Sequence, residues 1–549
     1  MDQFQTIRCV DSNNPAGEVD VLIVGAGITG IYQLYRAREA RFSVMLLEAG
    51  GGVGGTWYWN RYPGARFDSE SYSYAYLFSK ELFEEWEWSE HFAAQPETER
   101  YLNHVVDRFD LRRHIRLGAK IESACFDEAS ATWAVMASDG SEFRSRYLIA
   151  ATGVLSVPYL PAIPGREDFR GIAHHTGLWP ADPVDFAGKR VAVIGTGSSG
   201  VQLIPEILGE VASLNVYQRS PNWCTPLNNA PISPAEQAQL REGFEALREL
   251  LENAPSGFPH PMCDRATFDD SDEERRAHFE RMWNSPGFAK LSSNYFDLLI
   301  DRAANAEFCA FIAEKIRATV ADPVTAERLI PKDHPFAGKR PPYVASYYEA
   351  FNDPRVTLVD LRETPILRVT PDGIETADGE RAFDIVVWAT GFDFGTGALL
   401  RLGIRGRDGR LLTEHWAEGP RTYVGVQTTG FPNLFFPGGP HLVSYNAPRY
   451  ICDTVDFVTG ILAHARDHGC DTIETPAAAE EAWTALVDEA AKAVLFGGET
   501  SYFMGANIPG KPRKQMMNFA GRAMLQQTLA ENRANGFKAF RFGGGTESA

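Results

Sequence analysis

Two short stretches of this 549-residue chain carry residue types spaced for chemistry on dinucleotides. In the first, the apolar run Val21 to Val24 is followed by Gly25, Gly27 and Gly30. The first glycine of such a G-x-G-x-x-G turn permits the tight bend. The second lets the backbone approach a pyrophosphate, and the third lets the following helix pack on the sheet. That helix aims its N-terminus at the phosphates. The next apolar run ends at Glu48, 23 residues after Gly25, where a carboxylate accepts hydrogen bonds from a ribose diol. The second stretch repeats the pattern as Gly195, Thr196, Gly197, Ser198, Ser199 and Gly200. Its next strand ends differently, at Arg219 and Ser220, 24 residues after Gly195. A guanidinium there grips a 2′-phosphate that an acid would repel, so this site reads as one for NADPH rather than NADH. Two dinucleotides in one chain point to redox chemistry passed between them.

Three further clusters lie near these turns in sequence. The loop GGVGGTWYWNRYPGARFDSES places Gly54, Gly55, Thr56, Trp57, Trp59 and Tyr62 ahead of Asp68. Its glycines let backbone crowd a flat ligand, and its aromatics offer stackable surface. Lys339 and Arg340 stand together in a Gly/Pro-framed loop that holds two cations at a fixed place. The segment FRGIAHHTGLWP lies about 25 residues upstream of the second turn, where it would serve as a hinge. In it, His175 could donate a proton or serve as a hydrogen-bonded strut; the strut is the reading adopted here. Neither histidine has metal-ligand spacing to other donors, so no metal site is expected.

The hinge spacing Phe169-x-Gly171-x-x-x-His175-x-x-x-Trp179-Pro180 resembles the fingerprint of type I Baeyer–Villiger monooxygenases. The spacing Gly54-Gly55-x-Trp57-x-x-x-x-Tyr62-Pro63-Gly64-x-x-x-Asp68 resembles a second fingerprint of that family. The resemblance runs from Val21 to about Arg513. It implies FAD in the first site, NADPH in the second, and a ketone and O2 as substrates. It implies conversion of the ketone to an ester or lactone through a flavin peroxide. By the same resemblance Arg340 faces the flavin oxygen adduct, Asp68 orients that arginine, and Lys339 meets the NADPH 2′-phosphate. A peroxide anion needs a permanent cation, which arginine supplies at any relevant pH. Gly55, Thr56 and Trp57 are expected at the first cofactor. Thr390, Gly391 and Asp393 are expected to help hold FAD, and the run around Asn433 to border the substrate. Tyr502 stands where the family commonly has Trp, with a contact to NADP. His441 after Pro440 departs from the family's Ser-rich turn. Two alternatives differ in class: a flavin monooxygenase that hydroxylates nitrogen or sulfur, and a non-catalytic NADP-binding redox sensor.

Positioning these residues requires an α/β fold with two Rossmann-like dinucleotide-binding domains, one for FAD and one for NADP, the second with a helical insertion. The triplet Ala-Thr-Gly occurs at 151–153 and again at 389–391, at strand ends where the chain crosses between lobes. We therefore expect residues 1–155 and 390–549 to form the FAD domain. Residues 156–389 would form the NADP domain, its insertion at about 222–330. Ser233 and Ser271 open capping boxes there, and Leu240, Phe244, Leu247 and Leu251 mark one face of a helix. The glycine-rich tail FRFGGGTESA is expected to lack fixed structure. A formal net charge of −19 argues against nucleic-acid and anionic-membrane partners. No obligate protein partner is indicated. Seven scattered cysteines without C-x-x-C spacing, no apolar leader and no run of 18 apolar residues fit a cytoplasmic protein.

The two strand-end residues make a direct prediction. Arg219→Ala should weaken NADPH binding by about 1.5–3 kcal/mol, the range for a hydrogen bond to a charged group, and leave NADH nearly unchanged. Steady-state KM values for both coenzymes measure it; equal losses would refute the assignment.

Overall fold

The computed structural model describes residues 17–443, 446–495, 498 and 501–544. The apolar run of the first turn is the end of β1 (Glu18–Val24), whose last four residues are buried. Strands buried on both faces are built from such continuous apolar runs. β1 sits inside a sheet with β2 (Val44–Leu47), β3 (Ile115–Arg116), β4 (Ile121–Asp127), β5 (Thr132–Ala137) and β6 (Glu142–Ala150). β1 pairs in parallel with β2 and β6, whereas β4–β5 and β5–β6 are antiparallel.

A second sheet is wholly parallel. It is built from β7 (Ile172–His175), β8 (Arg190–Ile194) and β9 (Ser213–Gln218). Between β9 and its next partner come β10 (Thr225–Pro226) and β11 (Tyr343–Val344), which pair with each other. β12 (Val356–Asp360) then rejoins the sheet beside β9. A three-stranded antiparallel sheet follows as β13 (Ile366–Thr370), β14 (Gly373–Thr376) and β15 (Gly379–Ala382). β16 (Ile385–Trp388) completes the order β12-β9-β8-β16-β7. The chain then returns to the first sheet, adding β17 (Ile404–Arg405) beside β4 and β18 (Leu434–Phe435) beside β6. The fold is thus two Rossmann-like α/β units with a helical insertion in the second, as expected from the sequence.

The recurrent Ala-Thr-Gly triplets have a common structural cause. Gly25 has φ +104°, and a Cβ there would lie 2.6 Å from the carbonyl oxygen of Ala151. Gly195 has φ +109°, and its Cβ would lie 2.3 Å from the carbonyl oxygen of Ala389. In each unit the strand that ends in the triplet presses its last carbonyl against the first glycine of the turn. The third glycine closes the same frame: a Cβ on Gly30 or Gly200 would sit 1.8 or 2.2 Å from the carbonyl of the first glycine.

The insertion is helical, and both capping boxes form, Ser233 with Glu236 and Ser271 with Glu274. The single helix expected through Leu240 and Leu251 is instead two, Pro234–Glu242 and Phe244–Asn253. Gly243 breaks it and caps the first helix through its N–H on Gln239, consistent with the poor helix propensity of glycine. The apolar face survives the break: Phe244 and Leu251 are buried against Leu77 and Phe83 of the first unit. The tail also differs from expectation. Arg541–Gly543 pairs as a strand with Thr472–Glu474, and Phe540 and Phe537 are buried; the last five residues, like the segment 1–16, lie outside the described residues. Among the described residues, no helix is long and apolar enough to cross a membrane.

Two glycines of the second turn separate framework from ligand space. A Cβ on Gly197 meets nothing within 4 Å, and its φ of −79° suits any residue. Gly197→Ala should therefore melt within about 2 °C of the parent while weakening NADPH about tenfold or more, because the methyl occupies the path of the pyrophosphate. Gly200→Ala should cost about 2 kcal/mol or more in stability, since backbone must move. Thermal melts and coenzyme titrations distinguish the two; a large loss of stability in Gly197→Ala would refute the division.

Candidate active site

Around the first turn, the glycine loop and the nucleotide turn interlock. Gly54 N–H donates to the Ala26 carbonyl at 2.8 Å, and a Cβ on Gly55 would fall 2.7 Å from Gly27 Cα. Only glycines allow this approach, which leaves a narrow crevice at the head of the helix Ile28–Glu39. Glu48, 6% exposed, closes one side of it. Its two carboxylate oxygens accept the Ala26 and Gly50 N–H groups, each at 2.7 Å. Thr56 is exposed at the start of the short helix Thr56–Trp59. The Trp57 ring is buried edge-on against Phe67, and its Nε1 donates to Tyr74 Oη at 3.0 Å. Trp57 is therefore committed to the wall of the site and not left open as a stacking surface.

The same loop then docks on the second unit. Tyr62 Oη donates to Gln202 Oε1 at 2.7 Å, and Gln202 Nε2 donates to the Arg66 carbonyl at 3.0 Å. Gln202 belongs to the helix Ser198–Ile207 that follows the second glycine turn. Ser198 and Ser199 open that helix, and Ser199 lies in hydrogen-bonding contact with the Tyr62 phenol. Gly64 has φ +81°, and its Cβ would meet the Gln202 carbonyl at 2.6 Å.

At the second turn, Arg219 lies exposed just past β9. Thr196 Oγ1 donates to the Ser220 carbonyl at 3.2 Å, and Lys339 Nζ donates to Ser220 Oγ at 2.7 Å. Burial lowers the Lys339 pKa; Asp333 opposes that shift and Arg219 adds to it. Lys339 shares this bay with the cations Arg219 and Arg362 and the acid Asp333, beside open backbone at Gly197, an excess of positive charge that suits an anionic group. A diphosphate at each turn, with a ribose diol at Glu48 and a 2′-phosphate at Arg219 and Lys339, fits the residues present.

Arg340 and Asp68 meet where the two units join. Arg340 Nη2 donates to Asp68 Oδ1, and the carboxylate is 6% exposed. Burial pushes the Arg340 pKa down, yet Asp68 outweighs it and holds the guanidinium charged. The other side of the guanidinium lies over the Phe288 ring, 5.3 Å from its centroid. Phe288 in turn stacks on Phe258 at 4.5 Å. Tyr62, Tyr74, Tyr343 and Tyr502 stand close enough to feel both charges of the pair. The Tyr502 ring sits edge-on to Phe394 at 5.1 Å. Sequence reasoning found Arg340, Asp68 and Tyr502 but not Phe288 or Gln202; neither stands in a spaced motif.

The hinge is β7, the edge strand of the second sheet, with the turn after it. His175 Nδ1 accepts the Gly177 N–H at 2.9 Å, and its ring is edge-on to Phe392 at 5.5 Å. Trp179 N–H donates to the Trp59 carbonyl at 3.1 Å, and its ring lies 6.5 Å from Tyr62 and 5.6 Å from His174. Phe169 packs on the core of the second sheet, and Gly171 leaves room for its ring. Pro180 follows, half-buried. The hinge thus ties to the first unit through Trp179, while His175 braces its turn.

The remaining expected positions have protein partners of their own. Asp393 meets Arg401 at 2.8 Å and Lys511 at 2.6 Å, so both its oxygens are already engaged. Thr390 Oγ1 donates to the Tyr159 carbonyl and Gly391 has φ +82°, closing the crossing between units. Asn433 does not border open space. It is fully buried and binds the backbone of Asp471 and Ile473, so Asn433 itself plays a structural part within the run. His441 is buried against Thr422 Oγ1 at 2.8 Å.

A family profile described as Pyridine nucleotide-disulphide oxidoreductase matches residues 22–254. The chain is similar to a 2-oxo-Δ(3)-4,5,5-trimethylcyclopentenylacetyl-CoA monooxygenase of Pseudomonas putida, with 44% identity over 85% of this chain and 87% of that one. It is 39% identical to an acetone monooxygenase (methyl acetate-forming) of Gordonia sp. strain TY-5, over 95% of this chain and 98% of the relative. Among solved structures, a crystal structure of OTEMO in complex with FAD and NADP superposes with a TM-score of 0.93 at 40% identity, covering 96% of this chain and all of that one.

Burial pushes the pKa of both His175 and His441 down to about 4 from the ordinary 6.5. Folded values below unfolded ones mean that the stability from neutral histidine is present above pH 6.5 and lost as pH falls toward 4. Each histidine should contribute a slope of about 1.4 kcal/mol per pH unit in that window, about 3 kcal/mol in all. Urea melts between pH 4.5 and 7.5 should show the slope fall by one such increment in His441→Gln. An unchanged slope would refute the assignment.

Proposed function

The chain belongs to the Baeyer–Villiger monooxygenase family of flavoproteins, and we propose that its reaction is carried by the ion pair Arg340–Asp68. It is an FAD-dependent enzyme that consumes NADPH and O2 and converts ketones to esters or lactones. One ketone, one O2, one NADPH and one proton give one ester, one water and NADP+. FAD, when bound, supplies hydride acceptance and oxygen activation, chemistry that no side chain provides. Family membership favours ketone oxygenation over the heteroatom-hydroxylating and sensor alternatives.

In our reading the chain's own residues divide the remaining work. Gly25, Gly27, Gly30 and Glu48 hold the FAD diphosphate and ribose, with the Gly55–Trp57 segment forming the wall. Gly195 to Gly200, Arg219, Ser220 and Lys339 hold NADPH. Residues 1–155 with 390–549 form the FAD domain and residues 156–389 the NADP domain. Arg340 keeps a permanent positive charge beside the reacting oxygen. Such a charge favours an anionic oxygen, the nucleophilic form, over its protonated form. Asp68 fixes the guanidinium in orientation, and Phe288 limits its movement on the other side. The surrounding tyrosines exclude water, which strengthens the charge interactions inside. The substrate is a ketone, with no nucleic acid, membrane or obligate protein partner. Scattered cysteines without C-x-x-C spacing support work in the cytoplasm.

The observation that carries this reading is Arg340 held at the junction of the two units. Flavin reduction depends on the second glycine turn; oxygen insertion depends on the cation. Arg340→Ala should therefore still bleach its flavin with NADPH in the absence of air. In air it should release hydrogen peroxide and form little ester. The loss of one preorganised charge is about 3–4 kcal/mol, roughly 10²–10³ in rate. Asp68→Ala should show a milder form. Stopped-flow absorbance and chromatography of the ester decide the matter; near-parental ester formation by Arg340→Ala would overturn the proposal.

A further inference from the structure

The bay that faces the coenzyme also contains an acid. Asp333 Oδ2 accepts from Ser220 Oγ at 3.2 Å, and Ser220 Oγ accepts from Lys339 Nζ at 2.7 Å. The three groups form one directed chain, lysine to serine to carboxylate. The other carboxylate oxygen accepts from His334 Nδ1 at 2.6 Å. That histidine side chain is only 4% exposed, and its backbone carbonyl is fixed by Trp223 Nε1 at 3.0 Å. The carboxylate is thus held in one orientation, toward Ser220. Burial pushes its pKa up, but the His334 hydrogen bond and the Lys339 charge outweigh that and keep it below the ordinary range. Arg219, one residue before Ser220, completes the bay.

We propose that Asp333 is a coenzyme-selectivity residue. Its carboxylate is a resident anion that engages the Ser220–Lys339 pair and opposes a 2′-phosphate placed there. The same carboxylate is an acceptor for an unphosphorylated ribose hydroxyl. The chain therefore binds NADPH less tightly than Arg219 and Lys339 alone would allow, and discriminates less against NADH. This rests on the reading that the Arg219–Lys339 bay takes the 2′-phosphate. A purely supportive Asp333, one that only holds Lys339 and Ser220 in place, predicts the opposite sign.

The test uses the FAD-loaded full chain and two fragments that need no turnover, adenosine 2′,5′-diphosphate and ADP, titrated calorimetrically at low salt. Asp333→Asn should bind adenosine 2′,5′-diphosphate roughly three- to tenfold more tightly than the parent, with the gain shrinking as salt screens the charge. ADP binding should stay within about twofold or weaken, since it has no 2′-phosphate to be relieved of repulsion. Asp333→Ser, which also removes the charge, should behave in the same direction. If the parent prefers adenosine 2′,5′-diphosphate but both variants bind it equally or less well, Asp333 is supportive and the inference falls alone. If the parent does not distinguish the two fragments, the reading of the bay falls and takes the inference with it.

Discussion

The structure is organised around one ion pair. A carboxylate removed from water costs several kcal/mol unless a partner and good geometry compensate it. Asp68, which is buried, finds that partner in Arg340, 272 positions away in sequence and on the other unit. The pair cannot form until both sheets, the crossings at the two Ala-Thr-Gly triplets and the insertion are in place. Conversely, once formed it leaves neither unit free to withdraw without leaving the buried Asp68 carboxylate unpaired. Phe288 adds an apolar face that no water replaces equally well. The chemistry and the assembly of the two halves therefore depend on the same interaction.

What the sequence made legible was local. Both glycine turns, the strands that feed them, Glu48 and Arg219 follow from spacing within about 25 residues, the span of one strand–helix–strand unit. The two capping boxes were readable for the same reason, each needing only four residues. The break at Gly243 was also local, but the apolar periodicity on either side hid it. Periodicity reports which face is buried and not whether the axis continues.

Long-range contacts were not legible. Phe288 is one of 34 phenylalanines, and nothing in its neighbourhood announces an arginine above it. Gln202 joins Tyr62 across 140 positions. Asn433 lies in a loop that resembles a ligand border, yet its amide serves the backbone of the strand Thr472–Glu474. Asp393 was placed near a cofactor by its position after a triplet, but Lys511 and Arg401 reach it from beyond that motif. For Phe288, Gln202, Asn433 and the Lys511 contact of Asp393, the deciding partner comes from a separate element tens of positions or more along the chain. The hinge shows a middle case. Its spacing marked it as special, and the division of labour between Trp179, which crosses to the first unit, and His175, which braces a turn, needed coordinates.

The carbonyl-to-glycine frame has a consequence for how this architecture can change over generations. Ala151 on Gly25 and Ala389 on Gly195 lock each turn through backbone contacts; at the first turn the Glu48 carboxylate adds to the lock through the Ala26 and Gly50 N–H groups, whereas Arg219 at the second stands exposed outside it. Glu48 and Arg219 occupy matching places after their strands and differ in sign, yet the turns they serve are nearly superimposable in their constraints. At the second turn, preference for a phosphorylated or plain nucleotide can change by substitution at the strand end without touching the backbone lock, whereas at the first turn the acid is shared between nucleotide and frame. The parts a lineage must inherit intact and the parts it is free to revise lie only a few ångströms apart, on different chemical layers of the same loop.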